Sequence, residues 1–390
     1  MKKNIFEFIK KTLAAIRGEY CVVLRKTAYG LEITEGLMRE EKKTLKIINK
    51  ITGTNIQEFK KPLLKADHLI CSLDSASATT IKDFVEVKRN QKNDEITEKE
   101  FEHLIYQGLW NFLNLNRPWI ASKMNTKESD LILAHIEIVA IELDNHSVIN
   151  PIGFSGETIS FCFQGTLVSR EIMPFLGTLR NWSEHLVVCE EGAALAHFII
   201  GEEMDIAAFC GGDSTEIFLA GERKVFYLDE IPLGMKHLAS FIMEKFSVTE
   251  DVAQELIVYY TQHGVSKHLE HFFKEQFNEF VSNLFSGIDK ALVKNKKIKS
   301  EKEKRKPVVH LNFNNAVSEP HRLLNKATRG TINILEQKLN HTDFSIIPEE
   351  EKTNISIVGL FLYPYSQKTL EFSNQLLHRR AKWLIANISS

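Results

Sequence analysis

Residues 209–218 read FCGGDSTEIF. Gly211 and Gly212 are followed by the hydroxyls of Ser214 and Thr215 and then by Glu216. A strand that runs into a Gly-rich turn brings backbone N–H groups up to a phosphate, and neighbouring hydroxyls add donors. Such loops usually carry an acidic residue just ahead of the glycines to hold a metal ion; here that place holds Phe209 and Cys210. Asp213 sets a negative charge where phosphate oxygens would lie, a repulsion on the order of several kcal/mol at close range unless a cation intervenes. The blander reading of the same residues is a β-hairpin turn in which Asp213 caps a neighbouring N–H.

Other chemistries leave weaker traces. His268 and His271 (KHLEH) are three apart on a predicted helix, with no further convergent ligands, so a solvated helix face is expected and no metal site. Spacing alone does not define a Ser-His-Asp arrangement, and no catalytic residue is assigned. The five cysteines, Cys21, Cys71, Cys162, Cys189 and Cys210, form no CxxC pair and each lies in an apolar run. Reduced, buried thiols of a cytosolic protein are the expectation.

These residues must be carried by a chain of 390 residues, long enough for two or more domains or one large two-lobed one. Hydrophobic content of 43% and charged content of 26% are ordinary for a globular protein. A net charge of −2 and a pI near 6.7 give no global basic field, and no nucleic-acid partner is expected. No apolar run reaches the ~18–20 residues of a membrane span. The N-terminus lacks the continuous apolar core and cleavage pattern of a signal peptide.

The elements follow from periodicity. Residues 2–17 read as a basic amphipathic helix with Ile5, Ile9, Leu13 and Ile16 on one side. YCVVLRKTAYGLEIT (20–34) reads as a β-hairpin and 38–58 as helix; LLKADHLICSLDS and TTIKDFVEVK read as strands. Thr97 and Glu100 form a capping-box start to a long helix. LILAHIEIVAIELD and SVINPIGFSGETISFCFQGTLVS read as strands, and 184–200 as a small-residue helix packed on a sheet. Strands with a turn at AGER fill 205–231, and a helical block runs from about 235 to 294. The charge run 294–306 reads as a solvated helix end or loop, VVHLNFNNAV as strand and turn, and ISIVGLFLYPY as a buried strand or helix. A last helix spans 367–388, with Leu370, Leu377, Ala381, Leu384 and Ile388 at helical spacing and Lys and Arg between them. It suits either a membrane interface or the protein's own surface.

Several of these segments, in order, resemble the FtsA family of bacterial cell-division proteins. NPIGFSG (150–156) resembles that family's N-P-[IV]-G-x-x-G turn, and ITEKEF the entry to its inserted subdomain. EEGAALA (190–196) resembles the helix ahead of the second phosphate segment, and FCGGDSTEIFLAGERKVFYLDEIPLG that segment, its hairpin and the following P-x-G turn at Gly234. ISIVGLFLY resembles a segment near the family's end, so the likeness spans about residues 20–365. It implies an α/β, two-lobed actin-like (ribonuclease H-like) fold with a mixed five-stranded sheet in each lobe and an inserted α+β subdomain of SHS2 type. The expected organisation is a basic helix at 1–18, a first lobe at 19–83 and 173–202, the insert at 84–172, a second lobe at 203–365 with a reduced insertion around 236–266, and an amphipathic helix at 366–390.

The resemblance also implies ATP with magnesium, filament formation, a tubulin-like division-ring partner, and a cytoplasmic, peripheral place on the inner membrane face through 1–17 or 367–390. Carried over by position, the nucleotide contacts are Thr27 of the first phosphate turn, Gly211, Gly212, Ser214 and Thr215 of the second, Gly234, and Asn314 and Asn315 in place of the adenosine G-G turn. Four parts of that site depart from the pattern. Arg25 stands at or near the first aspartate, Phe209 replaces the second, Asn314–Asn315 replace the glycines, and the ribose-contacting E-K pair becomes Gln254, Glu255 and Ile257. Metal-assisted phosphoryl transfer needs placed carboxylates, so the expectation is a division scaffold with a degenerate nucleotide site, a pseudo-ATPase. Two alternatives stay open: a PilM-like component of type IV pilus assembly, and an active actin-like ATPase using rearranged residues.

Overall fold

A computed structural model describes residues 18–27, 30–39, 43–183, 185–196, 205–221, 224–263, 266–294, 308–312, 332–334, 345–347, 355–365 and 370–386. The chain divides into two compact units, one of Met1–Leu195, Asp343–Thr353 and Ile357–Ser390, the other of Ala196–Thr342 and Asn354–Ser356. The predicted helix at 2–17, the charge run beyond Lys294, and Asn314 and Asn315 lie outside the described residues.

The first unit opens with an antiparallel meander: β1 (Glu19–Thr27), β2 (Gly30–Arg39) and β3 (Thr44–Gly53). The hairpin expected at 20–34 is present, with Thr27 opposite Gly30. The helix expected over 38–58 is not: most of that segment completes β2 and forms β3. Thr44, Ile47, Ile48, Ile51 and Thr52 are β-branched and lose rotamer freedom in a helix, while β2 offers β3 a ladder from Leu31 to Arg39. A short helix α1 (Lys60–Lys65) takes the LLK that the pattern assigned to a strand. β4 (His68–Leu73) then runs parallel to β1.

The insert follows. β5 (Ala78–Lys88), α2 (Glu98–Lys123), β6 (Leu131–Leu143), the short β7 (His146–Ser147) and β8 (Thr158–Ser169) form an antiparallel sheet ordered β5-β8-β6-β7, with α2 packed against it. Thr97 caps α2 by accepting the Glu100 N–H at 3.2 Å, as the capping box predicts. The reciprocal half is diverted, because the Glu100 carboxylate pairs with the buried Arg89 guanidinium at 2.9 Å. Phe101, Phe112, Phe161 and Phe163 interleave helix and sheet, with ring centroids 5.6–6.0 Å apart.

α3 (Met173–Trp182), β9 (Leu186–Glu190) and α4 (Glu191–Ala196) return the chain to the first sheet. The helix expected over 184–200 is therefore a strand in its first half. Val187, Val188 and Cys189 pair with β4 in parallel, and Glu191–Ala196 of the small-residue half is helical.

In the second unit β10 (Asp205–Cys210), β11 (Thr215–Ala220) and β12 (Val225–Ile231) form another antiparallel meander. The expected helical block is α5 (Met235–Phe246), α6 (Glu250–His263) and α7 (Lys267–Lys294), followed by β13 (Val309–Asn312) and β14 (Ile332–Ile334). β15 (Ser345–Ile347) joins β3 of the first unit, and α8 (Ile355–Leu362) and α9 (Glu371–Ala386) follow among the described residues.

Both units repeat one plan. β3-β2-β1-β4-β9 and β12-β11-β10-β13-β14 each place three antiparallel strands beside two added in parallel. This duplicated mixed sheet is the α/β actin-like fold that the resemblance implied. Val22, Leu24, Ile33, Leu63, Leu69 and Leu176 build the first core. Ile206, Ala208, Ile217 and Leu219 meet Leu238, Ile242, Phe277 and Leu284 of the helices in the second. No described helix is long and apolar enough to cross a membrane.

α2 approaches the insert sheet closely at Gly108, where a β-carbon would lie 2.9 Å from Phe161 and 3.2 Å from Phe163. Gly108→Val is expected to cost about 1–3 kcal/mol through overpacking, read as a lower midpoint in urea unfolding. An unchanged midpoint would show that the rings yield.

Candidate functional site

The Gly-rich turn joins β10 to β11 and sits on the N-terminus of α5. The Gly211 N–H donates to the Ser214 carbonyl at 2.8 Å, closing the turn. The Gly211 and Gly212 carbonyls accept from the N–H groups of Met235 and Lys236, the first two residues of α5, at 2.9 and 2.8 Å. Helix N-termini leave such donors open and draw anions; here backbone oxygens of the turn take two of them. Gly234 permits the approach, since a β-carbon there would stand 2.4 Å from the Gly212 oxygen. Its own N–H donates to His237 Nδ1 at 3.1 Å.

The hydroxyls are committed as well. Thr215 Oγ1 donates to the Leu233 carbonyl at 2.6 Å, and Ser214 Oγ donates to the Glu230 carboxylate. Asp213 pairs with Lys236 Nζ at 2.9 Å, so the misplaced negative charge of the turn has a cation beside it. Phe209 lies edge-on to Phe218 at 5.6 Å, and Phe218 edge-on to Tyr227 at 5.6 Å. The position where the resemblance implies an aspartate thus belongs to a buried aromatic row. Burial pushes the neighbouring Cys210 thiol up to about 12, against a smaller opposing effect of Thr215, which leaves it protonated at neutral pH.

In the first unit, the β1–β2 hairpin carries Arg25, which is nine-tenths buried. Its guanidinium grips Glu191 at the start of α4 through Nη2 to Oε1 at 2.7 Å and Nε to Oε2 at 3.1 Å. Nη1 reaches Glu32 of β2 at 3.2 Å, and Lys50 of β3 meets the other Glu32 oxygen at 3.0 Å. Burial alone would lower the Arg25 pKa, but the Glu191 and Glu32 carboxylates outweigh it and hold the guanidinium charged. Thr27 ends β1 two residues on.

Next to Glu191, the fully buried Glu190 receives Lys123 Nζ of α2 at 2.6 Å and the Thr80 N–H of β5 at 3.0 Å. Thr80 Oγ1 accepts the Glu190 N–H at 2.8 Å and lies 2.9 Å from Thr166 Oγ1 of β8. Burial raises the Glu190 pKa; Lys123 and the Thr80 N–H oppose that rise, and Asp74 adds to it.

Gly211, Gly212, Ser214, Thr215 and Gly234 are therefore brought together by the turn and the start of α5, whereas Thr27 belongs to the other unit. Pattern reading missed Lys123, Lys236 and the pairing roles of Glu190 and Glu191. The Glu190–Glu191 doublet at a strand end was the available signal, because two adjacent carboxylates entering a buried segment require cations. The residues do not fit a magnesium–phosphate group. A guanidinium stands at or near the first position where the resemblance implies an aspartate and a phenyl ring at the second, and the hydroxyls and two helix donors that would meet phosphate bond within the chain.

Breaking the Arg25–Glu191 pair leaves the Glu191 carboxylate without its guanidinium in a largely desolvated place. Arg25→Met is expected to destabilise by about 2–4 kcal/mol, and Arg25→Met with Glu191→Met by clearly less than the sum of the two singles, with a coupling of about 1–3 kcal/mol in urea unfolding. Additive effects would show that the pair holds nothing.

No protein-family model matches the sequence, and no curated protein matches it. Solved structures with a similar chain course include a PilM–PilN type IV pilus biogenesis complex, at 12% identity and a TM-score of 0.47 over 94% of this chain and 98% of that one. The cytoplasmic domain of EpsL, an inner membrane component of the type II secretion system of Vibrio cholerae, aligns at 9% identity and a TM-score of 0.33 over 90% of this chain and 97% of that one. A Bacteroides thetaiotaomicron protein with an actin-like ATPase fold and unknown function aligns at 9% identity and a TM-score of 0.33 over 84% and 97%.

Proposed function

We propose that this chain is an actin-fold scaffold that works without a nucleotide, its phosphate-handling parts rebuilt as internal contacts. The observation that carries this reading is the grip of Arg25 on Glu191. An arginine at or near the place where the resemblance implies a metal-organising aspartate offers magnesium no ligand, and its neutralising carboxylates lie on the chain itself rather than on a ligand. The aromatic row at Phe209 and the closed turn at Gly211–Ser214 support the same reading.

The setting that the sequence resemblance supports is a peripheral component of a bacterial inner-membrane machine. Cell division is the first reading, with a tubulin-like ring protein and further copies of the chain as partners. It is favoured by the NPIGFSG turn, which is ordered through Gly153 N–H to Ile96 O at 3.0 Å and Ile96 N–H to Phe154 O at 2.8 Å. Type IV pilus assembly with a PilN-type partner is the alternative. Binding of purified ring protein against PilN-type protein separates the two. Of the two readings of the C-terminal helix, packing on the protein's own surface is supported by the burial of Leu376, Leu377 and Ala381. For membrane attachment the reading favours residues 2–17, where Lys2, Lys3, Lys10, Lys11 and Arg17 suit anionic lipid.

Saturating Mg-ATP is expected to leave the melting temperature unchanged, since a ligand raises it only by binding the folded state. A concentration-dependent rise would end the nucleotide-free reading. Deleting residues 2–17 is expected to abolish co-sedimentation with phosphatidylglycerol-containing vesicles. Undiminished binding would remove the membrane role of that segment.

A further inference from the structure

β1, β4 and β9 run in the same direction, so their first residues share one end of the first unit. Arg25 and Glu191 lie at the other end, where these strands finish, roughly 20 Å away at about 3.3 Å per strand residue. Local pairs close the shared end. The Tyr20 N–H donates to Asp67 Oδ2 at 2.9 Å, and the Asp67 N–H to the Tyr20 carbonyl at 2.8 Å. Glu19 meets His68 Nε2 at 3.4 Å, and the Leu69 N–H donates to the His185 carbonyl at 3.0 Å. Trp182, half-buried at the end of α3, packs on the same core as Tyr20 and Ala66.

α1 finishes at this end, and its charge is unanswered. Leu63 is its inward residue, buried in the first core. Lys61 and Lys65, one turn apart, take the opposite face, with Lys60 and Leu64 beside them, and all four are exposed, Leu64 by 52%. Among the described residues, none of the three ammonium groups has a hydrogen-bond or ion-pair partner. The nearby carboxylates are engaged elsewhere: Asp67 by the Tyr20 N–H, Glu19 by His68, while Glu58 turns toward Gly53, where a β-carbon would lie 2.5 Å from it. The chain also enters the described structure here. Gly18 leads directly into Glu19 of β1, so residues 2–17, which read as a basic amphipathic helix, join the body beside the Asp67 that follows α1.

We propose that the outward face of α1 is a second lipid contact: Lys60, Lys61, Leu64 and Lys65 rest on an anionic bilayer when residues 2–17 are bound to it. The proposal rests on the membrane reading of residues 2–17 and extends it to the folded body. A lysine at an anionic membrane surface strengthens binding about fivefold. Three of them alone are too weak to hold the chain, which is consistent with a requirement for residues 2–17. Tethered through Gly18 to a bound segment, they meet the bilayer at high effective concentration and add to its hold. Leu64 supplies the apolar group that such a face sinks below the headgroups. The contact turns the β1–β2 hairpin end, with Arg25, away from the lipid.

The test uses the full chain and phosphatidylglycerol-containing vesicles. The combined variant Lys60→Gln, Lys61→Gln, Lys65→Gln is expected to bind at least tenfold more weakly than the parent. The combined variant Lys99→Gln, Lys267→Gln, Lys290→Gln removes the same charge from exposed positions elsewhere and is expected to bind within twofold of the parent. All five cysteines are buried, so an environment-sensitive fluorophore on Leu64→Cys labels this site selectively. Its emission is expected to shift to the blue on phosphatidylglycerol-containing vesicles and to stay unchanged with phosphatidylcholine alone. Parent-like binding by the α1 variant, an equal loss in both combined variants, or an unshifted Leu64→Cys probe on vesicle-bound chain would overturn the proposal. In each of those outcomes the parent still binds vesicles, so the membrane reading of residues 2–17 stands; a parent that binds no vesicles would sink both.

Discussion

Glu190 and Glu191 sit where β9 ends and α4 begins, and each holds a cation. Burying a carboxylate is costly unless a partner and hydrogen bonds meet it, so this junction dictates what surrounds it. Glu191 demands a cation from β1 and finds Arg25; Glu190 demands one from α2 and finds Lys123. The first hairpin and the insert are thereby tied to one strand end. The threonines of β5 and β8 complete the arrangement, because Glu190 has oxygens left over and Thr80 and the Thr80 N–H lie against it. Neither pair is a strong source of net stability by itself, since desolvation offsets most of the attraction. Their effect is on specificity: any arrangement that parts them leaves a bare charge.

The second unit reaches a similar end by backbone means. A helix N-terminus aimed at a turn is a ready anion site, yet the Gly211 and Gly212 carbonyls face Met235 and Lys236 at hydrogen-bond distance. Gly234 is the residue that allows the contact. A ligand shifts a conformational equilibrium only as far as its affinities for the two states differ. Contacts already made within the chain reduce what a phosphate could add, which is the physical content of a scaffold reading.

Much of the fold was legible. The hairpin at 20–34, the cap at Thr97, the strands of 205–231 and the helices from 235 to 294 follow from periodicity and turn residues. β3 was hidden because only Leu45 of its ten residues is buried, which leaves no alternation to read, and its β-branched composition was the better guide. β9 was hidden because it is five residues long and runs straight into a small-residue helix, so the two merge in any window. Of the candidate site, the turn around Gly211 was legible and its partners were not. Lys236 and Glu230 become neighbours of Asp213 and Ser214 only when α5 is set against the hairpin. The role of Arg25 needed a carboxylate 166 positions away. The burial of Leu376, Leu377 and Ala381 in α9 was equally beyond reach, because an apolar helix face does not say what covers it.

Hydrogen exchange of the β1–β2 hairpin amides tests the central claim most directly. The account predicts that these amides are protected in the nucleotide-free protein, unchanged by saturating Mg-ATP, and released in Arg25→Met. Protection that appears only when Mg-ATP is added would contradict it, because the hairpin would then be held by a ligand and not by the chain's own ion pair.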